Sequence, residues 1–273
     1  MTLFVWLAGL ALLSGPTVAN TPFDHSAWDR VLKAHVNPSG EVDYRAIKAD
    51  RKDLDRYSGQ LGGASPENHP ELFPARADQF AYWINAYNAF VTRGVADRYP
   101  THSVRDLGPL LGFFRREEYI AGGRKMSLSS LENVILRKKF ADPRVHFSIV
   151  CASLGCPMLA REAFTGVNLE QLLDRQARRF INQRRNVKVD AATNTVRLSK
   201  IFDWYTVDFV GSKGKQALVD YIRRYASPET RRALDALKQP RIRFYDYDWS
   251  INDPGSRSRS SNPLEREAGR VSQ

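Results

Sequence analysis

The chain has 273 residues, 42% of them apolar and 11% aromatic, which excludes a disordered polypeptide and leaves room for one large or two small packed domains. Its 41 Lys and Arg against 30 Asp and Glu give a formal net charge of +11. The basic residues are scattered as Arg115-Arg116, Arg137-Lys138-Lys139, Arg178-Arg179 and Arg184-Arg185, not gathered into a stripe interleaved with aromatics, so a solvated basic surface suited to an anionic envelope is expected and nucleic-acid binding is not.

In chain order, residues 1–23 carry no charge, and Leu3 to Leu13 is an apolar run shorter than the roughly 20 residues a membrane helix needs. Thr17-Val18-Ala19 has the small-x-small form of a signal-peptidase site, so residues 1–19 are expected to be a signal peptide and the protein periplasmic or secreted, without stable membrane insertion after cleavage. A helix is predicted over Phe23 to His35, broken by Asn37-Pro38-Ser39-Gly40, and a polar one over Ile47 to Leu61. Arg76 to Tyr99 is apolar on all sides and reads as a central buried helix. Glu118 to Met126 reads as a hairpin turning at Gly122-Gly123, and Ser129 to Arg137 as a helix opening on the capping box Ser129-x-x-Glu132.

Val145 to Val150 reads as a buried strand, and Asn168 to Gln183 as an amphipathic helix with a capping box at Asn168 and Gln171. Val187 to Asp190 and Thr195 to Leu198 flank a second hairpin turn; Ser212 to Tyr225 and Pro228 to Leu237 read as helices, and Arg241 to Trp249 as a closing strand. From Pro254 the chain lacks an apolar period and is expected to be a disordered tail. The sum is a single α+β domain over residues 20–253, with a mostly antiparallel sheet of hairpins packed on the central helix and flanking helices.

Ala81 to Phe90, Leu128 to Asn133, Val145 to Leu159, Ser199 to Tyr205 with Asp208-Phe209, and Tyr247-Asp248-Trp249 follow one another as five ordered motifs. In these the chain resembles the domain-of-unknown-function 547 family, which includes exported bacterial proteins. The resemblance marks positions and implies no reaction. One motif position differs: the family often has His after the Glu of the third helix, where this chain has Asn133.

Chemistry gathers in Val145 to Pro157, which holds His146 and both cysteines, Cys151 and Cys156. A thiol with a neighbouring base is a nucleophile, whereas two close thiols in an oxidising compartment can form a disulfide. Pro157 suits the first position of a helix and would place Cys156 at its N-cap, where the dipole lowers a thiol pKa. Cys151 can meet His146 only if the chain turns near Val150, because five positions along a straight strand put them on opposite faces. Glu132 is a capping residue or the carboxylate that orients His146.

Asn85 and Asn88, one turn apart on a buried helix, must bond a neighbouring backbone segment or a substrate, and Lys200 and Asp208 edge an aromatic cluster that is mostly core. Two cysteines and one histidine lack the second ligand pair of a zinc site, so no metal is expected, and no cofactor is called for. Two function classes remain. One is a thiol-dependent hydrolase or acyl transferase using Cys156 or Cys151 with His146 and Glu132, its substrate held by Asn85, Asn88, Lys200 and Asp208. The other is a non-catalytic envelope module that binds a small molecule or envelope component in a cleft fixed by a Cys151–Cys156 disulfide. The short loop such a bridge would close favours the free thiol. A thioredoxin-type role ranks third, because the spacing is C-x4-C and not C-x-x-C.

Overall fold

Asp43 starts the first connected helices by accepting a hydrogen bond from the Ala46 amide. In the computed structural model, which describes residues 21–259, α1 (Ser26–His35) buries Ala27, Trp28, Val31 and Leu32. The single helix expected over Ile47 to Leu61 is two, α2 (Tyr44–Ala49) and α3 (Lys52–Gly63). The break is at Asp50, which is extended and whose carboxylate accepts from the Lys52 amide, so the residue ends one helix and supports the next. The expected signal peptide lies outside the described residues.

The centre is α4 (Arg76–Arg98), with Phe80 to Thr92 buried without interruption. A helix apolar all round must be enclosed, and α2, α3 and the segment after α6 pack against it. After the short α5 (Gly112–Arg115), β1 (Glu118–Ala121) and β2 (Arg124–Ser127) form the expected antiparallel hairpin. Gly122 and Gly123 turn it at φ 54° and 75°, a conformation that side chains disfavour. Then α6 (Leu128–Ser130) continues as a π-helical segment, Leu131–Phe140, capped by Ser127, which accepts from the Ser130 amide. Ser129 therefore lies inside the helix, and the Ser129–Glu132 capping box does not form.

Val145 to Val150 is not a strand. A 3-10 turn occupies Pro143–Phe147, with Asp142 accepting from the Arg144 amide, and the chain then turns back so that the Ser148 and Ile149 amides both donate to the Val145 carbonyl. An apolar run reports burial, which is complete here for Phe147 and nearly so for Val145 and Val150, without specifying backbone shape. No helix follows Pro157; residues 157–164 are irregular, so Cys156 caps nothing.

The second half begins with α7 (Leu169–Ile181). Asn168 does not cap it: its side chain accepts from the Thr165 amide and donates to the Ala163 carbonyl, closing the preceding loop. β3 (Val187–Asp190) and β4 (Thr195–Leu198) pair antiparallel. Helices α8 (Lys200–Trp204), α9 (Thr206–Val210), α10 (Leu218–Tyr225) and α11 (Pro228–Asp235) lead to β5 (Arg241–Phe244), which pairs parallel to β4. The closing strand thus ends at Phe244, and Tyr245 to Trp249 continue as irregular chain. The architecture is an α+β domain with one two-stranded and one three-stranded sheet.

Two apolar clusters fill it. One surrounds α4; the other joins Phe147, Phe180, Phe202, Phe209 and Tyr221 with the inner residues of β3 and β4. Of the tail expected from Pro254, Ser256–Arg259 form the short helix α12 with Ser256 and Arg257 buried, and residues 260–273 lie outside the described residues.

Candidate functional site

The turn that carries the cysteines is held from behind by α4. Asn88 donates from Nδ2 to the Ser148 carbonyl at 2.9 Å and accepts at Oδ1 from the Val150 amide at 2.9 Å, so one buried amide replaces the strand partner this segment lacks. One turn earlier, Asn85 does the same for Phe164, donating at 2.7 Å and accepting at 3.0 Å. Both expected substrate-binding asparagines are thus engaged with neighbouring backbone, and neither lines the cavity described below.

His146 projects from the 3-10 turn and is 3% exposed. Its Nε2 lies 2.7 Å from Asp208 Oδ2 on α9. A carboxylate can only accept, so Nε2 carries the proton and Nδ1 is the ring's basic nitrogen. Burial alone would raise the Asp208 pKa, but the hydrogen bonds from His146 and Arg137 outweigh it and hold the carboxyl well below the usual carboxylate range. Arg137 makes a bidentate pair with Asp208, from Nε at 2.6 Å and Nη2 at 3.0 Å. The imidazole stacks on Tyr205, with ring centroids 3.8 Å apart, and the Arg137 guanidinium lies 4.9 Å from the centre of the same ring. The carboxylate that orients His146 is therefore Asp208, a residue expected to touch substrate, and not Glu132.

Glu132 accepts one phenol on each oxygen, Tyr205 at 2.6 Å and Tyr87 at 3.3 Å. Burial, and then the nearby Glu132 charge, push both phenols well above their ordinary pKa, so both remain donors. The carboxyl group is thereby fixed in orientation.

Cys151 and Cys156 are bonded as a disulfide. The free thiol favoured by loop length is not what the structure contains. The Tyr247 hydroxyl sits over both sulfurs, 2.9 Å from Cys151 Sγ and 3.1 Å from Cys156 Sγ, with Ser153 Oγ 3.0 Å from it. The Cys151 amide also points at Cys156 Sγ, at 2.8 Å. Cys156 is 3% exposed and Cys151 partly exposed.

These groups meet in a cavity of about 380 Å³ at the seam between the two apolar clusters. Cys151, Cys156, His146 and Glu132 all line it. Tyr87, Phe114, Tyr205, Trp204, Tyr247 and Trp249 give it an aromatic wall, and Arg115 adds a cation. The last three aromatics contact one another, with Trp204–Tyr247 and Tyr247–Trp249 centroids 4.7 and 4.6 Å apart. Trp204 is 45% exposed. Lys200 lies outside the lining and pairs with Asp203 at 2.8 Å; Asp208 lies behind His146.

Sequence reasoning missed Tyr87, Tyr247 and Trp249 as site residues, although all three stood inside quoted motifs. It also assigned Arg137 to a surface charge run and Tyr205 to core. The carboxylate partner of Arg137 is 71 positions away, and no spacing rule reaches that far.

No curated protein and no solved structure matches the chain. A family model does match over residues 72–181, a stretch shorter than the span of the five motifs. It includes Glu132, His146 and both cysteines but ends before Trp204, Asp208, Tyr247 and Trp249. Residues 72–181 are thus similar to the family described as "Protein of unknown function, DUF547".

Proposed function

We propose that this protein is an exported binding module of the cell envelope and that the cavity between its two apolar clusters is the ligand site. The observation that carries this is the cavity's lining. An aromatic wall containing half-exposed Trp204 faces a carboxylate already oriented by two phenols, beside two cysteines that are bridged. Concave, largely apolar sites with a few fixed polar groups are the usual form of small-molecule sites. The combination suits a small ligand with a flat or apolar body and a hydrogen-bond donor or cation directed at Glu132, with Arg115 available to an anionic substituent.

A second reading, a thiol-dependent hydrolase or acyl transferase, is favoured by one observation: His146, held from behind by Asp208, lines the same cavity as the cysteines. It requires the bridge to be reduced first.

Tryptophan fluorescence of the purified protein, titrated with amino-sugar oligosaccharides and with short peptides, tests the binding module. A saturable change with at least one class is expected, lost in Trp204→Ala or Glu132→Gln. If no class saturates, and the reduced protein alone turns over activated esters in a manner abolished by Cys151→Ala or Cys156→Ala, the enzyme reading replaces it.

A further inference from the structure

We propose that the Cys151–Cys156 disulfide is an exchange-competent centre that reacts with thiols admitted to the cavity, with Cys151 attacked first and Cys156 leaving. The inference deepens the binding reading, since it rests on the cavity being a ligand site and names one class of ligand, a small thiol or a peptide cysteine.

The argument begins with access. Both sulfurs border the cavity, but Cys156 is 3% exposed whereas Cys151 is partly open, so an entering sulfur meets Cys151. It continues with the leaving group. Thiol–disulfide exchange is governed by how well the departing thiolate is stabilised. Ser153 Oγ lies 3.1 Å from Cys151 Sγ and the Tyr247 hydroxyl serves both sulfurs, 2.9 Å from Cys151 and 3.1 Å from Cys156, but Cys156 Sγ alone has a backbone donor aimed at it, the Cys151 amide at 2.8 Å. An inert crosslink has no use for donors on its sulfur, whereas a thiolate needs them. Tyr247 is itself positioned by Ser153 at 3.0 Å and by the contacts of its ring with Trp204 and Trp249. A base borders the same cavity: His146, whose Nε2 is engaged by Asp208, leaves Nδ1 as the nitrogen that can take a thiol's proton.

The steps balance. An incoming R–SH gives its proton to His146, and R–S⁻ attacks Cys151 Sγ. The Cys151–Cys156 bond breaks as the R–S–Cys151 bond forms, and its electron pair leaves on Cys156 as a thiolate held by the Cys151 amide and Tyr247. A second R–SH, deprotonated likewise, attacks the sulfur of the R group, releasing RSSR and a Cys151 thiolate. The two protons taken from the thiols end on Cys151 and Cys156. Two thiols are oxidised to one disulfide and the protein's disulfide is reduced to a dithiol.

The test uses the intact oxidised protein with 2-mercaptoethanol in one arm and a short cysteine peptide in the other, quenched in acid, alkylated with iodoacetamide and mapped by mass spectrometry. The expected result is a mixed disulfide on Cys151 with Cys156 alkylated, in either arm or both, the responding arm identifying the source of the thiol. Tyr247→Phe, with circular dichroism and Tm unchanged, should slow its formation by about tenfold, as loss of one hydrogen bond to a charged leaving group predicts. Mixed disulfide chiefly on Cys156, a Tyr247→Phe protein exchanging at the wild-type rate, or sulfurs that stay unreactive until the protein is denatured would each overturn the proposal. Its failure is separable from failure of the binding reading. Fluorescence binding that persists in the Cys151→Ser/Cys156→Ser protein, with no exchange in the wild type, removes the exchange alone; exchange without saturable binding of a non-thiol ligand supports it.

Discussion

At the scale of single residues, the site is organised by polar groups that satisfy one another across long separations. Glu132 pairs with phenols 45 and 73 positions away, and His146 with a carboxylate 62 away. Residue type exposed the histidine of the second pair, because a histidine in an apolar run stands out where burial without a partner is costly, whereas Glu132 stood out through its motif and helix-start position. The partner's identity did not stand out, and Glu132 fitted a local capping rule that Ser127 in fact fulfils. His25 follows the same logic outside the cavity. Its Nδ1 lies 2.7 Å from the Tyr57 hydroxyl, and burial pushes its pKa down to about 4. A histidine depressed in the folded state binds its proton more readily once unfolded, so it contributes stability above about pH 6.5 that is lost as pH falls toward 4. Denaturant unfolding at pH 7, 5.5 and 4.5 should show the wild type losing up to about 3 kcal/mol more than His25→Asn across that range. Parallel pH profiles would assign the acid sensitivity elsewhere. Asp208 is depressed too, so its contribution persists through this window and is lost only in stronger acid, as pH falls below the usual carboxylate range.

At the scale of elements, the central helix was legible end to end, because an unbroken apolar run of that length can only be enclosed. The cysteine segment was legible in place but not in shape. The apolar content of Val145 to Val150 fits a strand, yet the Ser148 carbonyl and Val150 amide are satisfied by a helix side chain and the Ser148 and Ile149 amides by turn bonds. That substitution brings His146 and the cysteines to one cavity, because the chain turns from Pro143 onward and the alternation of a strand never applies. Asn88 is therefore the element's anchor. Asn88→Ala should destabilise the fold by about 2–5 kcal/mol, since two buried backbone groups lose their partner. It should also make the disulfide more accessible to reductant in the folded protein. Asn85→Ala is expected to cost a similar amount through the Phe164 loop while leaving reduction of the bridge unchanged. If both variants altered reduction equally, Asn88 would not act on the cysteine turn in particular.

At the scale of the whole molecule, the cavity exists because two apolar clusters meet without merging, and the segment after β5 closes the seam between them. Tyr247 packs on the second cluster and Trp249 on the first. Beyond them the Leu154 amide bonds the Ser250 carbonyl and the Asn252 amide the Ala152 carbonyl, so the segment after Trp249 is stitched to the cysteine turn. Tyr99 adds a hydrogen bond to Asp253 at 2.7 Å, and buried Arg257 donates its amide to Glu41 at 3.5 Å. Composition misplaced the end of the domain here, because a Ser-Arg sequence has the hydropathy of a tail whether or not it is packed. The misplacement has a measurable consequence. Ending the chain after Arg259 should leave Tm unchanged, as expected for a polar segment with few large apolar side chains. Ending it after Asp253 removes Ser256 and Arg257, both buried, and should lower Tm by several degrees, on the order of 1–2 kcal/mol for a chain of this size. The shorter chain should also reduce its disulfide faster, because the strap that carries Tyr247 to Asn252 loses the anchor that Arg257 makes to Glu41. Equal Tm values for the two truncations would show that the domain ends before Pro254.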